Sequence, residues 1–226
     1  MNQLSKVLLM VGSPKGEKST SNSIASYILE KFKENGVEAE KTCIVKDIKT
    51  EGSIDKLISK VNDSDILILV SPLYVDSIPA IAIKAMEKIY ENKKDSFEKK
   101  QIMAIFNCGF PEPHHNDLAI DMCKKFASLS GMGWSGGITV GMGASLEGKS
   151  IENFGMAKNI LKGLDMAINA LANGKHIPKE AEIIASKPLA PVAIAKFVMC
   201  TFGGMMWGKQ MDKQAKKKMY DRPYEI

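Results

Sequence analysis

Residues Lys6 to Ser23 read "KVLLMVGSPKGEKSTSNS", and the break inside this stretch decides the fold. Lys6 to Ser13 is an almost unbroken apolar run, the pattern of a strand covered by helices on both faces. A glycine, a proline and a cluster of small hydroxyl residues follow. Ile24, Ile28 and Leu29 then fall on one side of a helical pattern that runs to the stop signal Asn35-Gly36. Strand, polar loop and helix in this order make a βα unit. The loop puts its hydroxyls at a helix N-terminus, where unpaired N–H groups and the helix dipole favour an anion.

The same rhythm continues along the chain. Strand candidates near Val37 to Val45, Asp65 to Tyr74, Gln101 to Gly109 and Ser135 to Gly143 alternate with helical patterns at roughly Ile54 to Asn62, Ala80 to Lys93, Asp117 to Gly131 and Asn153 to Asn173. "VEAEKTCIV" alternates polar and apolar residues early and reads as an edge strand. The expected fold is α/β, a flavodoxin-like doubly wound five-stranded parallel sheet, for which the order 2-1-3-4-5 is one standard solution. After "NGKHIPKE" the rhythm stops. Residues 1–175 are therefore expected to form the domain and 176–226 a C-terminal extension, packed on it or on a dimer partner.

Composition bounds the function classes. The 226 residues are 45% hydrophobic and 25% charged, ordinary for a soluble globular chain. The net charge of +5 is concentrated near the C-terminus, in Lys209, Lys213, Lys216, Lys217, Lys218 and Arg222. Few aromatics accompany that run, so nucleic acid is not an expected partner. Cys43, Cys108, Cys123 and Cys200 form no C-x-x-C pair, which argues against a zinc site or a disulfide framework and fits a reducing cytoplasm. The apolar segment "PLAPVAIAKFVMCTFGGMMWG", Pro188 to Gly208, carries Lys196 midway. A lysine at mid-bilayer costs about 2.5–3.5 kcal/mol on insertion scales, so a buried or dimer-facing segment is expected and a membrane partner is not.

Ligands of open α/β sheets sit beyond the carboxyl ends of the strands, which points to the loops after strands one, three and four. The first loop fails the dinucleotide pattern G-x-G-x-x-G, because Ser13 and Pro14 follow Gly12. It nearly satisfies G-x-x-x-x-G-K-[ST], with Gly12, Lys18 and Ser19 in register, but Glu17 stands where glycine is required. A P-loop phosphotransferase is thereby weakened. Ser13, Ser19, Thr20, Ser21, Asn22 and Ser23 can instead offer donors to a terminal monophosphate without a metal; the alternative is a plain N-cap and polar loop. "SPLYVDSIPA" adds the apolar pair Leu73 and Tyr74, and "NCGFPEPHHND" adds Asn107, Gly109 and Phe110. A phosphate cradle flanked by planar packing and amide hydrogen bonds suits FMN.

These three motifs, in this order at these strand ends, resemble the flavodoxin-like NAD(P)H-dependent FMN oxidoreductases, a group akin to flavin reductases and FMN azoreductases. The likeness covers about residues 4 to 175, and the terminal "DRPY" is similar to that of clostridial-type members. It implies an enzyme with FMN as cofactor, NADH or NADPH as donor and a quinone, nitro, azo or flavin acceptor. It further implies phosphate binding by Ser13, Ser19, Thr20 and Ser21 with Lys15 or Asn22. Pro72, Leu73, Tyr74 and Val75 would line the ribityl and ring, and Asn107, Cys108, Gly109 and Phe110 would reach the ring's polar edge. A nicotinamide-independent electron carrier is the rival, disfavoured by the single tyrosine in these motifs and the basic charge. His114 and His115 lack a third ligand at helical spacing, which disfavours a metal site; contact of one of them with flavin or nicotinamide is the alternative, and the sequence leaves their role open. Cys108 reads as a packing residue rather than a redox thiol.

Overall fold

A computed structural model describes residues 4–201 except 94, 147, 148 and 199. Five strands, β1 (Lys6–Val11), β2 (Glu38–Cys43), β3 (Ile66–Pro72), β4 (Gln101–Asn107) and β5 (Gly133–Val140), form one all-parallel sheet in the order β2-β1-β3-β4-β5. The helices are α1 (Thr20–Glu34), the single turn α2 (Ile44–Asp47), α3 (Glu51–Asp63), α4 (Ala80–Glu91), α5 (Asp117–Ser130), α6 (Lys158–Ala172) and α7 (Lys179–Ala185).

The period-two geometry of a strand sorts the apolar runs into two cores. Val7, Leu9 and Val11 of β1 face α1 and α6 together with Ile68 and Val70 of β3. Leu8 and Met10 face the other way, with Leu67 and Leu69, against α3, α4 and α5. Every residue of β3 is buried, which explains its uninterrupted hydrophobic sequence, whereas only Thr42 and Cys43 of β2 are buried, as an edge strand requires. α1 leaves β1 toward one face and α4 leaves β3 toward the other, so the crevice between the carboxyl ends of β1 and β3 is the switch point of the sheet.

Boundaries differ from the sequence reading where tertiary contacts decide them. α3 begins earlier, at Glu51, behind a capping box in which Thr50 and Ser53 bond reciprocally. α6 begins later, at Lys158, because residues 151–157 form tight 3-10 turns; there Ser23 Oγ accepts the Ile151 N–H at 2.9 Å and donates to Lys149 O at 2.8 Å. β5 carries a bulge against β4, with Gly136 at φ 128°, where a Cβ would sit 2.3 Å from Ile177. α7 packs on α6 and on β5. Residues up to Leu189 form one compact unit, and Ala190 begins a second in which 192–198 and 200–201 are helical. Phe202, Met205, Met206, Trp207, the basic cluster and "DRPY" lie outside the described residues. No helix among the described residues is long and apolar enough to cross a membrane.

Candidate functional site

The loop after β1 turns on itself before α1 begins. Gly16 N–H donates to Ser13 O at 3.0 Å, and Lys15 N–H donates to Ser13 Oγ at 3.3 Å. Ser19, in extended conformation, caps α1: its Oγ accepts from Asn22 N–H at 3.1 Å and donates to Gly16 O at 2.6 Å. Thr20 Oγ1 donates to Gly143 O at 2.8 Å. Asn107 Nδ2 bridges Ser21 Oγ at 2.9 Å and Ser71 O at 3.1 Å. Two hydroxyl protons are thus committed to carbonyls, while Ser13 and Ser21, each accepting a bond, keep a proton to donate outward. Among the described residues no acceptor meets the N–H groups of Thr20 and Ser21. The result is a set of amide and hydroxyl donors at the positive end of a helix, the arrangement an anion fits.

The loop after β3 is strained. Tyr74 and Ser77 exchange N–H···O bonds of 3.0 and 3.1 Å around Val75 and Asp76, which stand at φ 49° and 55°. Both residues of this tight turn occupy the left-handed region, unusual for any side chain and more so for a β-branched one. Val75 is 99% exposed. The loop after β4 is tied to the one after β5: Met142 N–H donates to Phe110 O and Gly143 N–H to Cys108 O, both at 2.7 Å. Met142 is also at positive φ, 56°. Gly143 must lack a side chain, because a Cβ would lie 2.6 Å from Asn107 Oδ1. Cys108 Sγ donates to Phe110 O and Glu112 O, 3.6 Å each, and burial pushes its thiol up, away from the reactive thiolate.

These loops enclose a cleft of about 190 Å³ at the switch point. Ser13, Lys15, Ser19, Thr20, Ser21, Pro72, Leu73, Tyr74, Asn107, Cys108 and Gly109 line it, eleven of the fourteen residues expected from sequence. Three lie elsewhere. Asn22 donates to Glu17 O and faces a neighbouring groove, Val75 projects into solvent, and Phe110 packs at a tilt against His115 with a ring separation of 4.7 Å. Gly143 and Ala144, which complete the lining, were not anticipated; the signal available was "GMG" immediately after the last strand. His114 and His115 stack on each other at 4.7 Å, and no group of three metal-ligating side chains occurs among the described residues. The donor set suits a monophosphate held without metal. At Gly109 a Cβ would meet nothing within 4 Å, so open space lies beside bare backbone where a flat ring can approach. The residues present fit FMN.

A doubly wound sheet with a donor-lined, helix-capped cleft at its switch point defines a flavodoxin-like mononucleotide-binding domain. Residues 5–132, more than half the chain, match the family described as NADPH-dependent FMN reductase, and the chain belongs to that family. It is an NAD(P)H-dependent FMN oxidoreductase. No curated protein sequence matches it. Solved structures of similar fold include an FMN-dependent NADH-azoreductase from Bacillus anthracis in complex with FMN (16% identity, TM-score 0.58, 75% of this chain and 100% of that one). An NADH:FMN oxidoreductase, EMOB, in its apo form has 14% identity and TM-score 0.57, over 79% of this chain and 94% of its own. A flavodoxin from Streptococcus pneumoniae TIGR4 has 12% identity and TM-score 0.55, over 75% and 99%.

Proposed function

We propose that the protein takes electrons from NADH or NADPH through FMN in the switch-point cleft and delivers them to a small-molecule acceptor in a reducing cytoplasm. The acceptor class is quinone, nitro, azo or free flavin. The observation that carries this reading is the convergence of the three sequence motifs on one cleft whose lining joins hydroxyl and amide groups to Pro72, Leu73 and Tyr74. Thr20 and Ser21 amides, the Ser13 and Ser21 hydroxyls and Lys15 hold the phosphate, with Ser19 fixing the helix end. Pro72, Leu73 and Tyr74 pack along the ribityl chain and ring, and Asn107, Cys108 and Gly109 present the polar edge. FMN, when bound, supplies the redox chemistry by accepting a hydride from the nicotinamide and releasing electrons to the acceptor. The cleft, about 190 Å³, is smaller than the about 300–1,000 Å³ usual for small-molecule sites, so it would hold the phosphorylated tail, and a ring reaching past its rim would leave one face for donor and acceptor to use in turn.

The exposed Ile194, Phe197 and Val198, on one side of the 192–198 helix, support a homodimer built through the C-terminal segment. Anaerobic stopped-flow mixing of the FMN-loaded protein with NADH or NADPH tests the activity: the yellow flavin bleaches in a catalytic reductase and stays oxidised in a carrier. Mass in solution tests the dimer, and a monomer overturns it.

A further inference from the structure

The loop after β4 runs on past the cleft to a second depression. A groove of about 640 Å³, more than three times the volume of the cleft and within the range of small-molecule sites, lies between α5, β5 and α7. Its apolar lining includes Trp134 of β5, half-buried, and Ile183 of α7, 57% exposed. Gly137 makes room for Ile120 and Trp134, since a Cβ there would come within 2.8 Å of Ile120 and 3.3 Å of the Trp134 ring. Charged residues share the lining: Asp117, Asp121 and Lys124 from α5, and the Lys179–Glu182 pair from α7. Glu182 is also bonded to the Gly137 N–H at 3.1 Å, which seals this part of the β5 edge against a pairing strand.

The groove is joined to the cleft by rings. Gly109 lines the cleft; the next residue, Phe110, packs at a tilt of 39° against His115, His115 stacks on His114, and His114 lines the groove. A ligand with one flat end over the cleft mouth and a second flat end in the groove, joined by a flexible polar linker, matches this layout. The reaction supplies such a ligand, the nicotinamide dinucleotide. We propose that the groove binds the adenosine half of the donor and selects NADH over NADPH. The adenine packs on Trp134 and Ile183, Lys124 meets the pyrophosphate, and Asp117 and Asp121 accept the ribose hydroxyls, the role an acidic residue plays where the 2′-hydroxyl is read. Three carboxylates against two lysines leave the groove without the positive excess that a 2′-phosphate needs.

This inference rests on the reductase activity proposed above, and the two can fail separately. The FMN-loaded full-length protein is mixed anaerobically with each nicotinamide, and ADP-ribose, which lacks the nicotinamide, serves as competitor and as calorimetric ligand. The expected results are a KM for NADH at least tenfold below that for NADPH and competition by ADP-ribose against NADH without release of FMN. Asp121→Lys narrows the NADH preference at least tenfold, and Ile183→Asp raises both KM values at least fivefold. A preference for NADPH, KM values unmoved in both variants, or absence of ADP-ribose binding would overturn the groove assignment while flavin bleaching persists. Bleaching with neither nicotinamide overturns the reductase reading, and calorimetry with ADP-ribose still decides the groove.

Discussion

Ser19 and Ser21 sit two positions apart in a run of similar residues and have different tasks. The Ser19 hydroxyl is spent on Gly16 O and the Asn22 amide, whereas Ser21 Oγ accepts from Asn107 and can donate outward. Ser19→Ala therefore lowers stability by about 1 kcal/mol through the lost cap, read as a shifted urea midpoint. Ser21→Ala costs about 1.5–3 kcal/mol of FMN binding, a tenfold or greater rise in Kd by flavin fluorescence titration, and also lowers the urea midpoint, because the buried Asn107 amide loses its acceptor. Val75 invites the opposite change. Its left-handed backbone costs about 1–2 kcal/mol for an L-residue, and its side chain is fully in solvent. Val75→Gly is expected to raise the urea midpoint, and an unchanged midpoint refutes the strain. The hydroxyl cluster was legible in sequence because small polar residues before a helical pattern have few structural meanings. Where each proton goes was not, because Thr20 spends its own on Gly143, 123 positions away.

Among elements, the strands were legible and several caps were not. Continuous apolar runs reveal buried parallel strands directly, and β1, β3 and β4 needed nothing more. α2, by contrast, is one turn held between β2 and α3, too short to leave a periodic pattern. The 3-10 turns before α6 are set by contact with Ser23 of a distant helix. A further clamp joins strands at the end of the sheet away from the cleft: Asp65 Oδ2 accepts from Ser5 N–H and Lys6 N–H at 2.8 Å each and from Ser5 Oγ at 2.6 Å. Desolvation raises this carboxyl's pKa, but the hydrogen bonds and Lys100 outweigh it, so the group titrates below its ordinary 3.8. A depressed folded-state value means that its stabilisation is present above pH 3.8 and is lost as pH falls through the lower folded value. Asp65→Asn should lower the Tm at neutral pH and flatten the acid limb of the Tm–pH curve below about pH 4. An acid limb identical to the parent's would remove Asp65 from that role.

At the scale of the molecule, α1 and α6 share one face of the sheet although their sequences are far apart. Tyr27 Oη donates to Asp165 Oδ1 at 2.5 Å, and Tyr27 lies at the margin of the shared core with Ile24 and Ile28 facing Ile160 and Leu164. Burial first, then the hydrogen bond and negative charge of Asp165, push the Tyr27 phenol well above its usual range, so the bond persists through all ordinary alkaline conditions. Tyr27→Phe is expected to cost about 1 kcal/mol of global stability while leaving FMN affinity within twofold, measured by urea unfolding and flavin titration. A variant as stable as the parent would show that packing alone holds the two helices. The placement of α6 also has a consequence for how the protein is made. The ribosome releases β1, α1 and β3 long before residues 158–172 exist, so the sheet face bearing Leu9, Val11, Ile68 and Val70 emerges with only α1 to shelter it. Nascent chains that stall before α6 carry an open apolar surface, and chaperone capture should peak on those lengths and fall sharply once α6 clears the exit tunnel.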